Sequence, residues 1–208
     1  LRFYERKEVK DALAYLRAVA NPEDDVSLRR ILNTPRRGIG DRAEAMVDAL
    51  AQRDRISFHA ALRRAGEAPG MATRSLKSVT AFLDLLDEFR AALDSGAGPG
   101  EVTALILERT GMLAEFQQSE DPQDATRAEN LVELEAVAAE FARDTPEGTL
   151  AEFLERVSLV SDSDEIPEQD GGVVTLMTLH TAKGLEFPVV FLTGMEDAVF
   201  PHARSLGD

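Results

Sequence analysis

Through most of the chain the apolar positions recur at helical spacing. Residues 5–20 place Val9, Leu13, Leu16 and Ala20 on one line, with Ala12, Tyr15 and Val19 beside it, the period of a helix with one buried face. Asn21 and Pro22 end that pattern, because proline has no N–H to continue the ladder. Ser27 then reads as the cap of a short helix through Leu32. A loop with two glycines follows, TPRRGIG at 34–40, and Asp41 reads as the N-cap of the next helix, with Glu44 at capping-box spacing. Further helices are expected at 41–53, 57–65, 74–94, 100–110, 124–143 and 149–160. The clearest is 74–94, where Leu76, Val79, Phe82, Leu83, Leu86 and Phe89 form one stripe. The run Gly96 to Gly100 breaks the chain before the next helix, with Pro99 near its first turn.

The period changes after Gly172. VVTLMTL (173–179) and FPVVFLTG (187–194) are nearly continuous apolar runs rich in β-branched residues, the signature of strands buried on both faces of a parallel sheet. The stretch 161–172 before them is acidic and poor in apolar residues and reads as a flexible linker. Two strands alone do not make an independently stable sheet. The expected architecture is therefore mainly α: a helical insertion at 21–172, with a short α/β portion in which 1–20 and 173–208 belong to one parallel-sheet domain. Both ends of the chain fall in mid-pattern, and the sequence reads as a piece of a larger protein.

Composition narrows the chemistry. The 208 residues are 44% hydrophobic and 29% charged, a globular balance. There is no cysteine, which excludes disulfides, thiol nucleophiles and cysteine-based zinc sites. No apolar run approaches the roughly 20 residues of a membrane helix. The net charge of −15 argues at first against nucleic acid. The charge is divided, however. Residues 1–80 carry 16 Lys and Arg against 11 Asp and Glu, and residues 81–208 carry 7 against 27. Screening limits an exposed charge to a reach of about 8–10 Å, so local charge decides binding. The stretch 111–172, with 3 basic and 17 acidic residues, reads as a solvated face.

Two stretches carry candidate chemistry. Between the expected strands lie Thr178, His180, Thr181, Lys183, Gly184 and Glu186. Loops at the carboxyl ends of parallel strands are where α/β proteins bind ligands. Hydroxyls, Lys and backbone N–H groups suit phosphates, and a carboxylate suits ribose hydroxyls. An ordinary strand connection fits the same residues. The second stretch is 34–42, where Arg36, Arg37 and Arg42 accompany two glycines and a helix start, with Arg29 and Arg30 one helix earlier. Glycines let backbone N–H groups approach a phosphate, and a helix N-terminus favours anions. A plain glycine turn between helices fits these residues as well. His59, His180 and His202 show no ligand spacing, and His59 is expected on a helix surface.

TLHTAKGLEFPVVF followed by GMEDAVFPH resembles motif V and its flank in the UvrD/PcrA/Rep family of superfamily-one DNA helicases. LRFYERKEVKDALAYLRAVANPEDD resembles the segment before that family's large helical insertion, and NTPRRGIGDRA resembles the insertion's GIG loop. The resemblance implies an ATP-driven 3′→5′ translocase and duplex unwinder with two RecA-like motor domains. This chain would be the helical insertion of the second motor domain (the 2B domain) with the flanking motor segments. Gly184 and Glu186 match positions at the ATP, Thr178 and His180 match positions facing single-strand phosphates, and Lys183 has no assigned role. Thr34, Arg36, Arg37, Gly38, Ile39, Gly40 and Arg42 match a duplex-binding loop resembling a helix-hairpin-helix turn, although Glu44 stands where that motif has a small residue. ATP and Mg²⁺ are implied for the full-length protein, DNA as its partner, repair or transcription proteins as further partners, and a bacterial cytoplasm as its place. The chain holds no GxxxxGK[ST], so no ATP hydrolysis or bound cofactor is expected of it alone. Two rivals remain at this stage: a non-catalytic docking module acting through the acidic half, and part of a helicase–nuclease of the recombination type.

Overall fold

The computed structural model describes residues 3–163, 177 and 187–193. The chain divides into two compact units, Leu1–Ile166 and Pro167–Asp208. The described part of the first is helical: α1 (Lys7–Ala20), α2 (Asp25–Ile31), α3 (Asp41–Asp54), α4 (Phe58–Arg63), α5 (Thr73–Asp94), α6 (Pro99–Thr110), α7 (Met112–Gln117), α8 (Pro122–Asp144) and α9 (Leu150–Ser163), with 3-10 turns at Phe3–Glu5 and Ala65–Glu67.

The ends of these helices follow from local chemistry. Asp24, and not Ser27, caps α2. Its Oδ1 accepts from the Ser27 N–H at 3.0 Å, and Ser27, already inside the helix, donates its hydroxyl to Asp24 Oδ2 at 2.6 Å. A carboxylate three residues ahead of a free N–H outcompetes a hydroxyl placed one turn too late. Asp41 is likewise the first residue of α3 and not its cap. Gly40 holds that position, without a side chain to bond the free N–H groups. Ser57 caps α4 through the Ala60 N–H at 3.1 Å. At the start of α9, Thr149 and Glu152 bond each other's backbone N–H groups at 2.7 and 3.2 Å, a reciprocal capping box. α7 follows Gly111, whose φ of +77° ends α6. α7 was not expected, since six residues are too few to show a period. α9 runs through Ser163, three residues into the expected linker, the rest of which lies outside the described residues.

α1 is the buried centre of the first unit, packed against α2, α5, α6, α8 and α9. Val9, Tyr15, Leu16 and Ala18 are each 0% exposed. Apolar residues on nearly every side of α1 demand helical neighbours all round, and these come from its own unit. The Tyr15 ring meets Phe89 of α5 edge-on at 6.4 Å, and the stripe expected on α5 is core, with Phe82, Leu86 and Phe89 at 0% exposure. One buried polar link joins α1 to α8: Asn130 donates to Glu8 Oε1 at 2.6 Å and accepts from Arg6.

In the second unit the described residues, Met177 and 187–193, form neither helix nor strand. The strand expected at 187–194 is therefore not seen. A strand of this type exists only through hydrogen bonds to neighbours on both edges, and the apolar run carries the tendency without the pairing. Apart from Met177, the strand expected at 173–179 lies outside the described residues.

Candidate nucleic-acid interface

The loop between α2 and α3 is built from its own polar side chains. Asn33 Oδ1 accepts from two backbone N–H groups, Arg37 at 2.9 Å and Ile39 at 3.3 Å, and so folds 33–39 into a closed turn. Gly38 has φ +84°, a conformation that costs other residues dearly. Ile39 is 3% exposed and anchors the loop in the core. Gly40 then opens α3, whose first N–H groups have no side-chain cap. The loop thus presents glycine backbone and a helix start to solvent, an arrangement suited to a phosphate. Asp41, exposed at the same helix start, works against it.

The cations of the stretch part company in the structure. Arg36 and Arg42 are exposed. Neither has a hydrogen-bond or ion-pair partner among the described residues. Arg37 is turned inward. Its Nη1 donates to the Ile31 and Leu32 carbonyls at 2.6 and 2.9 Å, and its Nη2 donates to the Thr34 carbonyl at 3.2 Å and to the Tyr15 hydroxyl. Its guanidinium lies 5.0 Å from the Phe82 ring centroid. Thr34 supplies a carbonyl to this bracket, accepting also from Tyr15, and offers no free surface group through it.

Arg29 and Arg30, expected to add charge to the loop, are neutralised internally. Arg29 pairs with Glu44 at 3.2 Å and Asp48 at 2.5 Å, and stacks 4.0 Å over Phe58. The Asp48 hydrogen bond raises its already high pKa further. Arg30 pairs with Asp11 at 2.8 Å. Glu44, which the sequence offered as a capping-box partner, is thereby engaged with Arg29.

Other cations take their place. A Cβ added to Gly38 would stand 3.7 Å from Ser78 Oγ of α5, and one added to Gly70 would stand 3.2 Å from Met46 Cε of α3. The first turns of α5 therefore run beside the loop, and the turn that leads into α5 lies against α3. They carry Arg74 and Lys77, both exposed and without an ion-pair partner among the described residues. Sequence reasoning missed them because only the tertiary contact joins residues 38 and 78. The available signal was a TRSLK start to a long helix without an acidic residue in its first turn.

The other candidates separate cleanly. His59 is not a free surface residue. It bonds Glu23 Oε1 at 3.2 Å and accepts from Arg63 at 3.4 Å, and burial is the main reason its pKa is lowered. No group of metal-binding residues occurs among the described residues. Thr178, His180, Lys183, Gly184 and Glu186 lie outside the described residues. No described helix is long and apolar enough to cross a membrane.

Comparison with known proteins accords with this geometry. The family model described as the UvrD-like helicase C-terminal domain matches residues 1–207. The chain is 54% identical over 222 residues to the ATP-dependent DNA helicase UvrD1 of Mycobacterium tuberculosis, a match covering 99% of this chain and 28% of that protein. It is 52% identical over 227 residues to UvrD1 of Mycobacterium leprae, with 99% and 29% covered. It is 38% identical over 210 residues to the ATP-dependent DNA helicase PcrA of Bacillus subtilis, with 99% and 28% covered. The chain thus spans a little over a quarter of the length of these relatives, and it belongs to the UvrD-like helicase C-terminal domain family.

Proposed function

We propose that the chain is the part of an ATP-dependent 3′→5′ DNA helicase that holds duplex DNA, and that its loop at 34–42 and the start of α5 contact the phosphate backbone. The observation that carries this reading is selective exposure. Around one glycine loop, Arg36, Arg42, Arg74 and Lys77 are exposed and unpaired among the described residues, while Arg29 and Arg30 are held in ion pairs and Arg37 is turned inward. Unpaired cations beside backbone N–H groups bind phosphates without reading bases. The relatives' names support DNA as the substrate and ATP as the fuel.

In the same reading 21–172 is the helical insertion, and 1–20 and 173–208 belong to the second motor domain. Gly184 and Glu186 serve the ATP and Thr178 and His180 the single strand. ATP and Mg²⁺ act in the whole protein, which works in the bacterial cytoplasm on duplex and single-stranded DNA and meets repair or transcription proteins there.

The test is equilibrium binding of the 208-residue chain to a labelled duplex across a salt series. Replacing Arg36 and Arg42 by alanine should weaken binding equally for unrelated sequences. Each substitution should also flatten the plot of log K against log salt by about one unit. An unchanged slope in the double variant would reject the phosphate contact.

A further inference from the structure

We infer that Arg37, together with Asn33 and Tyr15, is a positioning residue that sets the shape of the 34–40 loop from beneath and itself touches no phosphate. This rests on the duplex-binding reading for its functional consequence, though not for its geometry. In the sequence Arg36 and Arg37 are adjacent and indistinguishable as phosphate ligands. The structure gives them opposite surroundings.

Both terminal nitrogens of Arg37 are occupied, one by the carbonyls that close α2 and the other by Thr34 and the Tyr15 hydroxyl. The planar fork can bond carbonyls on both sides of the turn at once and still lie over the Phe82 ring. Tyr15 and Phe82 are each 0% exposed, so the bracket is tied to rigid core and not to another loop. From the other side Asn33 holds the Arg37 and Ile39 N–H groups. Between these two clamps the backbone at Gly38 has little freedom. A loop already held in its binding shape loses less entropy on meeting its ligand. The bracket also gives the Leu32 carbonyl at the end of α2 a donor and adds a second one to the Ile31 carbonyl, which accepts from the Thr34 N–H at 3.1 Å.

Lysine in place of Arg37 keeps the charge and loses the fork. The Arg37→Lys chain should show faster amide hydrogen exchange at residues 37–39 without DNA, and about tenfold weaker duplex binding, the weight of a lost charge-assisted hydrogen-bond pair. Its salt slope should remain that of the unaltered chain, because no phosphate contact is removed. Arg143→Lys, at an exposed position of α8 outside the loop, should leave both exchange and affinity nearly unaltered. Tyr15→Phe removes one oxygen from the core end of the bracket. It should shift exchange and affinity the same way by a smaller factor, which guards against a lysine variant that fails to fold.

Unchanged exchange at residues 37–39 in both Arg37→Lys and Tyr15→Phe would overturn the bracket. Faster exchange with unaltered duplex affinity would overturn its role in binding, as would a salt slope that falls in Arg37→Lys. If the unaltered chain binds no duplex at any salt, the duplex reading fails and the binding role falls with it. The exchange rates still decide the bracket.

Discussion

Gly100 of α6 lies directly against the backbone of Ala139 in α8: a Cβ built on Gly100 would stand 2.8 Å from the Ala139 Cα and 3.1 Å from its nitrogen. Here glycine serves close packing and not a special backbone angle, and it lets two long helices approach along the α6–α8 seam. Gly100→Ala therefore sets two effects against each other. Alanine favours the helix by about 1 kcal/mol, and an overpacked core site costs about 1–3 kcal/mol. The contact is with backbone, which cannot swing aside. The substitution should be destabilising, and Gly100→Val more so. Urea unfolding followed by circular dichroism should show a lower midpoint. A raised midpoint would mean that the helices part freely.

Arg29 should matter for stability and not for DNA. It stacks over Phe58 and holds Glu44 and Asp48 together. Arg29→Ala removes the ring contact and leaves two carboxylates side by side, a loss of about 1–2 kcal/mol. The thermal midpoint should fall, while the salt slope of duplex binding stays unchanged. A changed slope would place Arg29 on the DNA.

Asp11 predicts a dependence on pH. Its side chain is 9% exposed. Burial raises its pKa above the ordinary carboxylate value, and Arg30 only partly offsets this. A raised pKa means that the folded state favours the protonated acid, so the ionised form weakens the fold at neutral pH. Asp11→Asn keeps an oxygen for Arg30 and removes the buried charge. The variant should be more stable than the unaltered chain at pH 7. The gap should close as the pH falls through the raised value toward the ordinary one, and vanish below it. Urea titrations at several pH values would measure this, and a gap that widens in acid would refute it.

Arg74 and Lys77 should behave as Arg36 and Arg42 do. Replacing both by alanine should lower duplex affinity at every sequence and reduce the salt slope by about one unit for each. Circular dichroism should be unchanged, since both side chains are exposed. An unaltered slope would confine the contact to the glycine loop.

Most helices were legible because periodicity is a local property. The stripe from Leu76 to Phe89 needed no knowledge of the rest of the chain. Boundaries were less legible where two capping groups competed, as with Asp24 and Ser27, and α7 was too short to show a period. For α1 the pattern was visible but the depth of its burial was not. Tyr15 reads as a flank of one stripe, yet it is fully buried among helices that come later in the chain.

The amino-acid sequence by itself determined that this is a helical chain with a glycine loop flanked by arginines, and its motifs were enough to indicate the family. Only the tertiary structure decided which arginines face solvent. A charge is free or bound according to what other elements bring within about 4 Å of it, where ion pairs form. Glu44 and Asp48 come to Arg29 from α3, Tyr15 and Phe82 come to Arg37 from α1 and α5, and no described residue pairs with Arg36 or Arg42. Those encounters join residues that are distant in sequence, and no local pattern records them.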